Sequence, residues 1–370
     1  MYRVRQLAAA FSRHWLLPMK CAIAPIAAPY GLRQLAAAFS RHGLLPVKCA
    51  IAAVAAPYGL RQLAAAFRRH GLLPVKCAIA AISAVLLIIA GASQAAGARL
   101  VARTDARQPR DPAGLLIGAA PRDLGPENAQ CAVLLVHGYL GCGNNFGQLP
   151  ERLAEKGCRV RVMLLPGHGT SPRDLANVSS DQLLKAVLDE IDRLRPNYKR
   201  LVLVGHSMGG TLSTLAASQR QIDALVLAAP YFGVTSHWYY GLKPETWAKF
   251  TGPLVPWLYK AQKMIQVNKP DARPHIVSYR WVPASSVLTL MGLARQANKP
   301  EILAKINCPV LLIHSHNDQA ASPKAAKNAI AQIASQNKKT VWLDKSNHIL
   351  FWDYNAERAI AETVSICREP

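Results

Sequence analysis

Leu201–Val202–Leu203–Val204–Gly205–His206–Ser207–Met208–Gly209–Gly210 is the stretch on which the reading of the fold turns. Its first four residues form a short, wholly apolar run, the pattern of a strand buried on both faces. From Met208 to Ala217 the spacing becomes helical. Ser207 therefore sits on the bend between a strand and a helix. Glycines two residues before and two after it suit so sharp a turn, because larger side chains would clash there. Such a bend lifts a hydroxyl above the edge of a sheet and points the positive end of the following helix at it. Ser207 is the candidate nucleophile.

On either side, apolar runs alternate with amphipathic stretches. Upstream, Ala132–Val136 and Arg159–Leu165 read as strands, with helices at Leu149–Lys156 and Asp181–Leu194. Downstream, Ile222–Ala228, Val310–His314 and Thr340–Leu343 read as strands, with helices at Pro323–Ser335 and Glu357–Cys367. Continuous apolar strands separated by helices predict a mostly parallel sheet covered on both faces. Ligands of such sheets gather at the carboxyl ends of the strands.

A serine at its free pKa is a weak nucleophile and needs a base, itself held by an acid. His348 follows the strand at Thr340–Leu343, and Asp318 follows the strand at Val310–His314, giving the order Ser, Asp, His. Asp344 and Asp353 are rival acids. His316, close to Asp318, reads as part of the loop. Val136–His137–Gly138–Tyr139 ends an early strand in a glycine turn, so the main-chain amides of Tyr139 and Met208 are the candidate oxyanion donors.

These residues, with Pro166–Gly167–His168–Gly169 and Ser346–Asn347–His348, resemble the α/β-hydrolase superfamily, and within it bacterial carboxylesterases and monoacylglycerol lipases. The likeness spans about Cys131 to Cys367 and is most specific at the bend around Ser207. It implies an α/β-hydrolase fold with a mostly parallel central sheet, helices on both faces and a helical cap inserted at about 230–299. It also implies hydrolysis of a small-molecule or lipid ester through an acyl-enzyme. The insertion is rich in aromatics, among them Trp238, Tyr239, Tyr240, Trp247, Phe250 and Trp281. They suit either an apolar lid or the packing of the cap itself, and packing is the preferred reading for most of them.

Residues 1–96 read differently. Leu32–Arg33–Gln34–Leu35–Ala36–Ala37–Ala38–Phe39 recurs from Leu60 and, in weaker form, from Val4, a period of 28 residues. A tandem duplication explains such near-identical copies better than a solenoid does. Eleven of the 44 Lys and Arg lie here and none of the 21 Asp and Glu, so about half of the +23 net charge belongs to this leader. The overall basicity is accordingly no argument for nucleic acid, and no nucleic-acid partner is expected. The third copy runs into Ile82–Ala90 and then the small residues Ser93–Ala98, the pattern of an export signal with cleavage near Ala95 or Ala98. Residues 77–96 also suffice for membrane contact as a retained anchor, with the catalytic part outside the cytoplasm. The domain reading is thus a leader at 1–96, a linker at 97–130 and the hydrolase domain at 131–370.

Cys131, Cys142, Cys158, Cys308 and Cys367 lie outside the repeats. Export would permit one or two disulfides among them, and spacing alone cannot pair them. No metal-ligand spacing or phosphate loop occurs, so no cofactor and no metal is expected. The leading expectation is an exported or membrane-anchored serine esterase. A thioesterase, amidase or serine aminopeptidase would use the same machinery. The other classes are a hydrolase-fold binding protein without activity and a function residing in the basic repeats.

Overall fold

The computed structural model describes residues 75–235, 246, 249, 252 and 255–368. The 28-residue repeats up to residue 74 and the aromatics Trp238, Tyr239, Tyr240, Trp247 and Phe250 lie outside them. The chain divides into two compact units, residues 1–99 with 253–259, and residues 100–252 with 260–370. In the first, the described part is the leading portion of helix α1 (Val75–Asp105) together with strand β6 (Trp257–Tyr259), with the Trp257 ring against Gly97. The anticipated export signal falls on α1, which runs through the expected boundary at residue 96. Among the described residues no helix is long and apolar enough to cross a membrane.

The second unit holds the sheet. Its strands are β1 (Arg122–Leu124), β2 (Cys131–Val136), β3 (Arg159–Val162), β4 (Arg200–His206), β5 (Ala224–Ala228), β8 (Val310–Ser315) and β9 (Lys338–Leu343), in the order β1-β3-β2-β4-β5-β8-β9. Every pairing is parallel except that of β1 with β3. A short strand β7 (Trp281–Pro283) lies outside this sheet. The helices are α2 (Leu149–Glu155), α3 (Pro172–Ala176), α4 (Ser180–Leu194), α5 (Met208–Ala217), α6 (Ala284–Ala297), α7 (Pro300–Leu303), α8 (Pro323–Gln332) and α9 (Ala356–Arg368).

Alternation along the strands divides the core into two layers. Leu134, Val136, Leu201, Leu203, Leu225 and Leu227 face the layer built from α4, α5 and α6. Val133, Leu135, Val202, Val204, Val226 and Ile313 face the layer built from α2 and α9, where Phe146 and Phe351 also pack. The sheet is therefore apolar on both sides, and each fully buried Val or Leu contributes about 1.5–3 kcal/mol relative to exposure. α4 begins with a capping box in which Ser179 Oγ accepts from the Gln182 amide and Gln182 Oε1 from the Ser179 amide. It buries Leu183, Val187, Ile191 and Leu194, the stripe its spacing predicts.

Two expectations need correction. The expected linker at 97–130 supplies the edge strand β1, which pairs Asp123 with Arg161 both in register and through a 2.8 Å ion pair. Strand Arg159–Leu165 stops at Val162, because Leu165 turns its amide onto His137 Nε2 at 3.0 Å instead of continuing the ladder. Cys131, Cys142, Cys158, Cys308 and Cys367 carry thiols rather than disulfides in this structure. Between β5 and β8 lies the expected insertion. Its described part holds the short strands β6 and β7, turns and α6, and Tyr231, Phe232 and Trp281 are buried as packing residues.

Candidate active site

At the end of β4 the chain bends into α5 through Ser207, whose φ of 55° and ψ of −120° are rare for a residue with a side chain. The surrounding structure enforces this conformation. Ser207 N–H donates to the Ala228 carbonyl at 3.0 Å, and its own carbonyl accepts from Gly210 and Tyr231. A methyl group on Gly209 would collide with the Val136 carbonyl, and one on Gly205 with the Gly209 carbonyl. Only glycine lets the helix start so close to the sheet.

The parallel sheet brings the two other expected residues to this bend. His348 Nε2 lies 2.8 Å from Ser207 Oγ, and His348 Nδ1 lies 2.8 Å from Asp318 Oδ2. An ionised carboxylate can only accept, which places the imidazole proton on Nδ1 and leaves Nε2 to accept the serine hydroxyl proton. Asp318 is buried, and its other oxygen accepts from the Ala320 and Ala321 amides, each at 2.8 Å. Burial alone would raise its carboxyl. The adjacent His348, its hydrogen bond and the amides outweigh burial and hold the carboxyl below its ordinary value.

The rival acids stand elsewhere. The Asp344 carboxylate is exposed and lies 3.8 Å from His316, while His316 stacks on Trp342. The Asp353 carboxylate accepts from the amides of Asn268, Lys269, Asn347 and Tyr354 at 2.7–2.9 Å. It ties the inserted segment to the loop that carries His348. Gln266 adds to this tie, its carbonyl accepting from the amides of His348 and Ile349. From below, His206 Nε2 donates to the His348 carbonyl at 3.0 Å. Burial and the neighbouring His348 push the His206 pKa down to about 3, so this imidazole is neutral. The sequence shows no sign of these supports, because Asn268 lies 85 residues from Asp353 and His348 lies 142 from His206.

Tyr139 follows Gly138 in the loop after β2, where a methyl on Gly138 would fall 3.0 Å from Ser207 Cβ. Met208 is the first residue of α5. Neither backbone amide has a hydrogen-bond partner among the described residues. The Tyr139 phenol is buried against Ser286 of α6, at 2.5 Å, and burial raises its pKa. All five expected site residues therefore lie around one bend.

A parallel sheet covered on both faces, with a serine on its strand-to-helix bend, defines the α/β-hydrolase class. Residues 127–355 match the family model described as serine aminopeptidase, S33, and the chain belongs to that family. It is similar to the thermostable monoacylglycerol lipase of Bacillus sp. (strain H-257), at 28% identity over 68% of this chain and 94% of that protein. It is also similar to a carboxylesterase of Bacillus subtilis (strain 168), at 22% identity over 60% and 86% of the two chains. Among solved structures, one from work on two metagenome-derived lipolytic enzymes, LipS and LipT, matches with a TM-score of 0.61 and 23% identity, over 69% of this chain and 99% of that one. The monoacylglycerol lipase of Paleococcus ferrophilus matches with a TM-score of 0.57 and 22% identity, over 67% and 97%. Likeness at these identities shows the fold.

Proposed function

We propose that the protein is a serine esterase of the monoacylglycerol lipase and carboxylesterase type, acting on small-molecule or lipid carboxylic esters through an acyl-enzyme. One observation carries the reading: a serine hydroxyl held 2.8 Å from an imidazole nitrogen whose other nitrogen faces a buried carboxylate. As the Ser207 oxygen attacks the ester carbonyl carbon, His348 Nε2 takes the hydroxyl proton. Asp318 keeps the ring in that tautomer and offsets the charge that develops on it. The carbonyl oxygen becomes an oxyanion, for which the amides of Tyr139 and Met208 are the donors, each worth about 3 kcal/mol in the transition state. Collapse breaks the ester bond, and His348 passes its proton to the departing alcohol. Water, deprotonated by the same imidazole, then attacks the acyl carbon and frees Ser207 with the carboxylic acid.

The lipase and esterase relatives support an ester rather than an amide bond, while the family description includes a serine aminopeptidase. A panel of p-nitrophenyl esters of rising chain length, run beside aminoacyl p-nitroanilides on the full chain, separates the two. We expect turnover of short and medium esters and a fall of at least ~10³-fold in kcat for Ser207→Ala. Equal rates in wild type and variant would remove Ser207 from the mechanism, and faster anilide cleavage would replace the ester reading. The basic stretch before the apolar residues 77–96 supports export out of the cytoplasm. The mass of the protein recovered from its native host reports whether the segment is removed.

A further inference from the structure

Cys131 opens β2 and Cys158 immediately precedes β3. The parallel register sets Ala132 beside Arg159 and Val133 beside Val160, so one step back along both strands Cys131 faces Cys158. Val133 and Val160 both point into the layer under α2 and α9, and alternation returns the two cysteines to that side. Cys158 is buried there and Cys131 half-buried against it. The Cys158 thiol is near enough to raise the pKa of Cys131. Cys367, near the end of α9, lies in the same layer, and Cys131 Sγ donates to its carbonyl at 3.4 Å. This cluster occupies the amino ends of the strands, the edge of the sheet away from Ser207, and hydrolysis makes no use of it.

Neighbouring strands lie about 4.7–4.9 Å apart, within the window of roughly 4.4–6.8 Å between Cα atoms that a disulfide requires. We propose that Cys131 and Cys158 are a disulfide-forming pair, a modification site separate from the hydrolytic centre and oxidised by a disulfide-class acceptor.

Cys131 is the entry point, because it is the more exposed thiol. Its sulfur attacks one sulfur of the acceptor, breaking that disulfide and releasing one thiol. Cys158, losing its proton to solvent, then attacks Cys131 Sγ and expels the second thiol. The protein loses two electrons and two protons, and the acceptor is reduced to two thiols. The neighbouring Cys158, followed by burial, holds the Cys131 thiol protonated in the folded protein, so the exchange is faster during folding than after it.

The full chain is refolded in a mixture of oxidised and reduced glutathione, in parallel with incubation of the folded protein. Free thiols are alkylated under denaturing conditions and the digest mapped by mass spectrometry. The expected product joins the Cys131 and Cys158 peptides, raises Tm by roughly 5 °C and leaves ester turnover unchanged. Cys367→Ser keeps the link, and Cys158→Ser abolishes it without loss of turnover. Refolded, oxidised wild-type protein in which Cys131 and Cys158 remain alkylatable would overturn the proposal, as would a link from either of them to Cys367.

Discussion

Replacing one oxygen of Asp318 with nitrogen would reverse the direction of the proton relay proposed for Ser207 and His348. In Asp318→Asn the Ala320 and Ala321 amides still find an acceptor in the carboxamide oxygen, so the new NH₂ faces His348 Nδ1. The ring must then carry its proton on Nε2, where it meets the Ser207 hydroxyl donor to donor. The expected outcome is a fall in kcat of about 10³–10⁴-fold with Tm nearly unchanged. Asp353→Asn separates the two carboxylates. It keeps one accepting oxygen and loses the acceptor for two of the four amides that the carboxylate holds, from the insertion and from the chain around His348, so its larger effect is on Tm, by several degrees, with a smaller loss of kcat. A calorimetric scan and a rate assay on both variants check this; the reverse pattern would exchange the roles given to these acids. Ser207, Asp318 and His348 were legible in the sequence because each follows a strand that its own apolar run reveals. Asp353 was legible only as a rival acid, since its role depends on amides of a segment that folds back over it.

At the scale of elements, the most predictable strand is also the least forgiving. Leu203, fully buried in the centre of β4, packs into the layer formed by α4, α5 and α6. Leu203→Ala removes that contact at a position where neighbouring strands prevent collapse, at a cost of about 2–5 kcal/mol. A urea titration should show the midpoint shifted down with the slope retained. The alternation that reveals β4 also placed β2, β5 and β8 to within a residue or two. β1 escaped detection because it is three residues long, two of them charged, and is defined by its pairing with β3 rather than by apolar content. The early end of β3 was hidden for a related reason. Met163, Leu164 and Leu165 continue the apolar run after the ladder stops, and only the hydrogen bond from the Leu165 amide to His137 reveals the departure.

At the scale of the whole molecule, buried imidazoles set the acid limit of stability. Burial lowers the pKa of His168 to about 4 and, with His348 alongside, that of His206 to about 3; His137 is also held well below its ordinary value. Each group binds a proton in the unfolded chain near pH 6.5 but not in the folded one. Their contribution is therefore complete above about pH 6.5 and is lost as pH falls toward 4, at about 1.4 kcal/mol per pH unit for each. Tm should be flat above neutrality and fall steeply below pH 6.5. His168→Gln should lessen the slope, and an unchanged slope would count against these shifts.

The hydroxyl of Ser207 and the imidazole that faces it are 141 residues apart along the chain and meet across the upper rim of the sheet. No contiguous fragment shorter than that span can hold the pair, so the proposed chemistry needs a long-range contact to close before it can begin. Turnover is thus a gauge of finished assembly, silent while helices and single strand pairs are already in place.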